Sequence, residues 1–143
     1  MATKNIVPRA DKEGQIGTNS KRWNLGLFYT LLSNLKYVEI KTDNYSVQTT
    51  DFGKTFVMNA ADKTFSLPSV SASDIGATLT FIHVGTKNLT IDAADADTIS
   101  DSGAGDGIYC EQAGEIYASV TIMLATETAW IIKDAKGTWI SYD

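Results

Sequence analysis

"ATLTFIHVGTKNLTIDA", residues 77–93, is the stretch on which the fold class turns. Its first half alternates: Leu79, Phe81 and His83 fall on one face, and Thr80, Ile82 and Val84 on the other. That period of two is the mark of a strand with one face toward an apolar interior. Gly85-Thr86-Lys87-Asn88 then has turn composition, and the strand-forming run "LTI" follows it. Two β-prone runs joined by so short a turn read as a hairpin.

The same grammar extends in both directions. "KYVEIKT", "YSVQTT", "KTFVMN" and "KTFSLP" precede the stretch, and "EIYASVTIMLAT", "AWIIKD" and "GTWISYD" follow it. They recur at intervals of about ten residues, the spacing of a sandwich or barrel. In "KYVEIKT", Tyr37, Glu39 and Lys41 lie on one face and Val38 and Ile40 on the other, as in a half-buried strand. Gly53 in "TDFGK" and Lys136-Gly137 in "DAKGTW" supply further turns, and Pro68 ends a strand because it cannot donate to a ladder. Trp130 and Trp139 flank the last of these turns, so a hairpin there puts them on paired strands as a stabilising aromatic pair. The expected fold is all-β, an antiparallel β-sandwich or barrel-like domain over residues 41–143, with little room for parallel crossovers.

Residues 1–40 are different. They hold six Lys/Arg against three Asp/Glu, whereas residues 41–143 hold six against fourteen, so a +3 arm precedes a −8 body. Residues 5–23 lack hydrophobic periodicity, and the expected organisation is an extended arm over residues 1–40 followed by the β-domain. Trp23, Leu27, Leu31 and Leu35 are spaced for one face of a helix, yet Gly26 interrupts them and "LFYT" suits a strand. Residues 24–36 therefore fit either element.

Few residues suggest chemistry. His83 is the sole histidine and reads as a strand residue near an interface. Cys110 is the sole cysteine, which excludes an intrachain disulfide and a cysteine-rich zinc site; it reads as a half-buried strand residue. No nucleophile elbow, phosphate-binding glycine loop or paired-histidine zinc motif occurs. A carboxylate-pair glycosidase is the one enzymatic mechanism worth testing, but acids such as Asp51, Asp62 and Asp74 stand in turns, where solvation explains them. The expectation is a protein that is not an enzyme and needs no cofactor. "DAADADTISDSGAGDG", residues 92–107, reads as a solvated loop anchored by Ile99. Its alternative is a calcium site made by Asp95, Asp97 and Asp101, whose spacing lacks the glycine and terminal glutamate of the helix–loop–helix pattern. The acidic body disfavours nucleic acid. The sequence has no run of about 18 apolar residues and no secretory h-region, which points to synthesis in the cytoplasm with no membrane partner.

The segment "IVPRADKEGQIGTNSKRW", residues 6–23, resembles a module that opens fibre and decoration subunits of tailed-bacteriophage virions, of the form I-V-P-R-A-D-x-x-G-x-I-G-T-x-x-K-R-W. Ile6 through Asp11, Gly14, Ile16 through Thr18 and Lys21 through Trp23 carry the match. The stretch from "TTDFGKTFVMN" to "LTIDAADADTI" is similar to the β-domains of phage fibre and head-appendage chains, and "TAWIIKDAKGTWI" to their Trp-bearing hairpin.

The resemblance implies a virion structural protein that self-associates, commonly as a homotrimer. An arm with little core of its own suits attachment, with Arg9, Lys21 and Arg22 pairing with acidic groups of the major capsid protein or another virion protein and Trp23 as the buried anchor. One globule with an anchor fits a capsid decoration (cement) or short head-fibre protein. The alternatives are a tail-fibre or baseplate appendage, or a carbohydrate-binding β-sandwich that adsorbs to a host surface glycan and presents Trp or Tyr on one face.

Overall fold

The computed structural model describes residues 38–111 and 117–142. The expected attachment residues Arg9, Lys21, Arg22 and Trp23, and the ambiguous segment 24–36, lie outside them. The described residues form eleven strands: β1 (Val38–Lys41), β2 (Tyr45–Ser46), β3 (Thr55–Met58), β4 (Lys63–Ser66), β5 (Thr78–His83), β6 (Leu89–Asp92), β7 (Thr98–Ile99), β8 (Gly107–Cys110), β9 (Ala118–Leu124), β10 (Ala129–Lys136) and β11 (Trp139–Ser141). Two short 3₁₀ turns, at Thr49–Asp51 and Ala72–Asp74, are the only helical elements among them.

The strands build two stacked sheets, ordered β1-β3-β5-β9-β10-β7 and β11-β8-β6-β4-β2. Both are mixed, which corrects the antiparallel expectation. β1, β3 and β5 run parallel in one sheet, and β2, β4 and β6 run parallel in the other. From β1 to β9 the chain alternates between the sheets, so each pass lays one strand in each, as the coils of a solenoid do, and β10 then pairs with β9 in the same sheet. Antiparallel pairing begins where β9 meets β5 and β8 meets β6.

The turn Gly85–Asn88 is accordingly an arch from one sheet to the other. The Val84 N–H still bonds the Met58 carbonyl, extending the parallel ladder beyond β5 before the chain crosses. A Cβ on Gly85 would stand 2.3 Å from the Ala60 carbonyl oxygen of the preceding crossing, so successive arches pack backbone to backbone. The "DAKGTW" turn also changes sheets, with Gly137 at φ 88°. Trp130 and Trp139 therefore do not share a ladder: Trp130 pairs with Leu124 and Ile99, Trp139 with Cys110.

The inward residues of both sheets make one core. Phe56, Met58, Leu79, Phe81, Ile122, Leu124 and Trp130 enter from one side, and Phe65, Leu89, Ile91 and Ile108 from the other. Parallel register stacks like on like. Phe56 aligns with Phe81, and Phe65 aligns with Tyr45 and Ile91. His83 continues the inward alternation of Leu79 and Phe81 and is wholly buried.

β1 reverses the expected facing. Val38 and Ile40 are 57% and 69% exposed, while Glu39 and Lys41 occupy the rows of buried Phe56 and Met58. A polar network holds them there. Lys54 bonds Glu39 (2.6 Å) and Asp51 (2.7 Å), the Tyr45 hydroxyl donates to Asp51 (3.0 Å), and the Lys41 ammonium sits 3.5 Å from the Tyr45 ring centroid. Asp51 is only 4% exposed; burial pushes its carboxyl up, but Lys54, the Gln48 N–H and Tyr45 together bring it below the ordinary range.

Candidate functional site

The outward faces of β6 and β8 carry a polar concavity. On β6, Leu89 and Ile91 point inward, which leaves Thr90 and Asp92 outward. On β8, Ile108 and Cys110 are buried while Tyr109 faces outward opposite Thr90. Asn88 and Glu111 flank these strands, and Tyr142 follows β11. Together Asn88, Thr90, Asp92, Tyr109, Glu111 and Tyr142 line an open groove of about 470 Å³.

Gly107 lets β8 approach β6 closely beside the groove. It stands opposite Asp92 in the β6–β8 ladder, and a Cβ there would lie 1.9 Å from the Ile91 carbonyl oxygen, so no side chain fits. Tyr142 is tied to the same point of the ladder. Its N–H donates to the Gly107 carbonyl (3.2 Å) and its hydroxyl to Asp92 Oδ1. Burial, then the adjacent Asp92 carboxylate, pushes the Tyr142 phenol well above its ordinary range, so it stays a donor. Tyr109 and Tyr142 stand with ring centroids 6.0 Å apart and planes tilted by 56°. The Ser141 hydroxyl donates to Asp101 (2.6 Å), which ties down the segment that carries Tyr142.

The Asp-rich stretch is a built element rather than a solvated loop. It contains β7, which adds to the first sheet beside β10, and it buries Ile99, Asp97 and Ser102. The Ser102 hydroxyl accepts the Ile99 N–H (2.9 Å), and the Gly105 N–H bonds the Asp97 carbonyl (2.8 Å). The carboxylates diverge. Asp95 meets Ser69 at 3.4 Å, Asp101 meets Ser141, and Asp97 turns inward with a buried oxygen that lacks a partner. Among the described residues no three His, Cys, Asp or Glu side chains converge to hold a cation.

The other singled-out residues are core. Cys110 lies on a strand as expected, but fully buried. The His83 ring nitrogens have no well-formed hydrogen bond; burial lowers its pKa, and the Ala60 carbonyl beside the ring opposes that only in part. Trp130 is buried against Phe52, with ring centroids 6.0 Å apart. Trp139 donates its Nε1–H to the Ser119 carbonyl (3.1 Å). Among the described residues Tyr109 and Tyr142 form a half-exposed aromatic pair, which the sequence did not disclose. Tyr109 could have been found from the alternation of "GIYC", but no spacing rule brings Tyr142 to it from another strand. Among the described residues no helix is long and apolar enough to cross a membrane. Compared with models of known protein families and with curated proteins, the chain matches none.

Proposed function

We propose that this chain is a structural subunit of a tailed-bacteriophage virion, a capsid decoration or short head-fibre protein held to the particle by the segment that precedes β1. The observation that carries the reading is the run from Ile6 to Trp23, whose spacing of Pro8, Arg9, Asp11, Gly14, Gly17, Lys21, Arg22 and Trp23 resembles the opening module of such subunits. In it Arg9, Lys21 and Arg22 pair with capsid carboxylates, and Trp23 fills a pocket of the major capsid protein.

The β body supports a structural role. Its core is continuous between two sheets, and its small coils stack in register, which suits a rigid displayed domain. Among the described residues β1 and β2 end their sheets on one side and β7 and β11 on the other, and an edge strand with exposed Val38 and Ile40 is the kind of surface that self-association covers. A homotrimer is the assembly proposed. The same anchor would serve a tail-fibre or baseplate subunit.

Cryo-electron microscopy of the phage that encodes the chain tests the reading. Density fitting the two-sheet body on the capsid surface is the expected result. Density on the tail or baseplate transfers the subunit to the alternative location. Absence of the chain from purified particles overturns the proposal.

A further inference from the structure

We propose that the groove lined by Thr90, Asp92, Tyr109, Glu111 and Tyr142 is a binding site for an uncharged saccharide. The inference stands on the described body alone and holds wherever the subunit sits.

Three features of the groove converge on that ligand class. The first is the tilted pair of half-exposed tyrosine rings in the groove lining, since an aromatic ring can take the C–H face of a pyranose and the Tyr109 phenol adds a polar edge. The second is the mixture of hydrogen-bonding groups. Asn88 offers both an amide donor and an acceptor, Thr90 and Tyr109 carry hydroxyls that do either, and Asp92 and Glu111 accept. A sugar hydroxyl also donates and accepts, so one ring with several hydroxyls can answer all of them, and bonds to the carboxylates are charge-assisted.

The third feature is charge. Two carboxylates line the groove, no Lys or Arg does, and residues 41–143 hold fourteen acids against six bases. Sialylated, phosphorylated and sulfated glycans are repelled from such a site. The groove is also held in shape before any ligand arrives. Tyr142 is fixed by Asp92 and the Gly107 carbonyl, and Asp92 is positioned by its own place in β6. Preorganisation lowers the ordering cost of binding, which matters for a small, open site.

The test uses the full chain, ¹⁵N-labelled, titrated with lactose, maltotriose and triacetylchitotriose as uncharged probes and with 3′-sialyllactose and choline as charged ones. We expect at least one uncharged probe to shift the amide signals of Thr90, Tyr109 and Glu111 with a Kd of about 10 mM or tighter. Tyr109→Ala and Glu111→Gln, each verified as folded by its spectrum, should each weaken that binding by about tenfold. The proposal is overturned if no uncharged probe binds in that range, if only choline or 3′-sialyllactose binds, or if the shifts map away from β6 and β8. Loss of saccharide binding with the subunit still on the capsid refutes this inference alone; binding by a chain absent from virions refutes only the virion reading.

Discussion

Phe56 lies directly alongside Phe81 on the neighbouring parallel strand, their ring centroids 5.9 Å apart and their planes within 19°. Phe65, from the opposite sheet, closes on Phe81 at 4.9 Å. These three rings join two consecutive coils and both sheets at one point. Phe81→Ala should therefore lower unfolding free energy by about 3–5 kcal/mol, measured by urea denaturation. Half-buried Phe52→Ala should cost clearly less. Equal losses at both sites would mean that the ring cluster is not the centre of the core.

His83 makes stability depend on pH. Burial lowers its folded-state pKa below the ordinary 6.5, so the unfolded chain takes up a proton that the native chain refuses. Stability is full above about pH 6.5 and falls as pH drops from there toward the folded-state value. His83→Met, which fills the row between Met58 and Ala118 with an adaptable apolar chain, should remove this slope. Urea midpoints for both proteins across the neutral to mildly acidic range check it, and an unchanged slope would place the titration elsewhere.

Asp97 acts with the opposite sign. Burial raises its carboxyl above the ordinary 3.8, the Val70 N–H opposes that in part, and the Asp95 charge adds a smaller upward push. The native state then holds a proton that the unfolded chain releases, so stability is lost as pH rises from about 3.8 through the folded-state value. Asp97→Asn should flatten that window and stabilise the protein at neutral pH by about 1 kcal/mol. Because Asp95, Asp97 and Asp101 diverge, added calcium should leave the melting temperature within about 1 °C of its value in chelator, and a clear rise would show a cation site.

Nine strand positions were legible in the sequence, whereas β7 and β8, the strand partners and the switch between sheets were not. The alternation puts Leu79, Phe81 and His83 on one face of a strand, and the structure buries that face whole, His83 included, where the sequence suggested a histidine near an interface. It says nothing of which backbone lies next in the ladder. A hairpin and an arch both join two amphipathic strands through a short polar turn, so "GTKN" fits either, and only the stacking of Gly85 on Ala60 selects the arch. β1 misled for another reason. Its Val38 and Ile40 look like the buried face, but the Lys54 network draws Glu39 and Lys41 inward, a tertiary effect invisible in the strand itself. The groove was illegible because Tyr109 and Tyr142 meet only through strand order.

Gly107 should be irreplaceable. Gly107→Ala puts a methyl 1.9 Å from a backbone oxygen that cannot swing away, so β6 and β8 must separate. We expect a loss of about 2 kcal/mol or more and displaced Tyr142 resonances. A variant as stable as the parent, with Tyr142 unmoved, would contradict the close approach of the two strands.

The most direct measurement is the occupancy of a chain lacking residues 1–22 on particles that lack the native subunit. The truncated chain should fold, with its own two-sheet core intact, and fail to decorate the particles. In the full chain Trp23→Ala should weaken attachment more than Lys12→Ala, by about 2 kcal/mol or more. Full occupancy by the truncated chain would show that attachment lies in the β body and would contradict the role given to the opening segment.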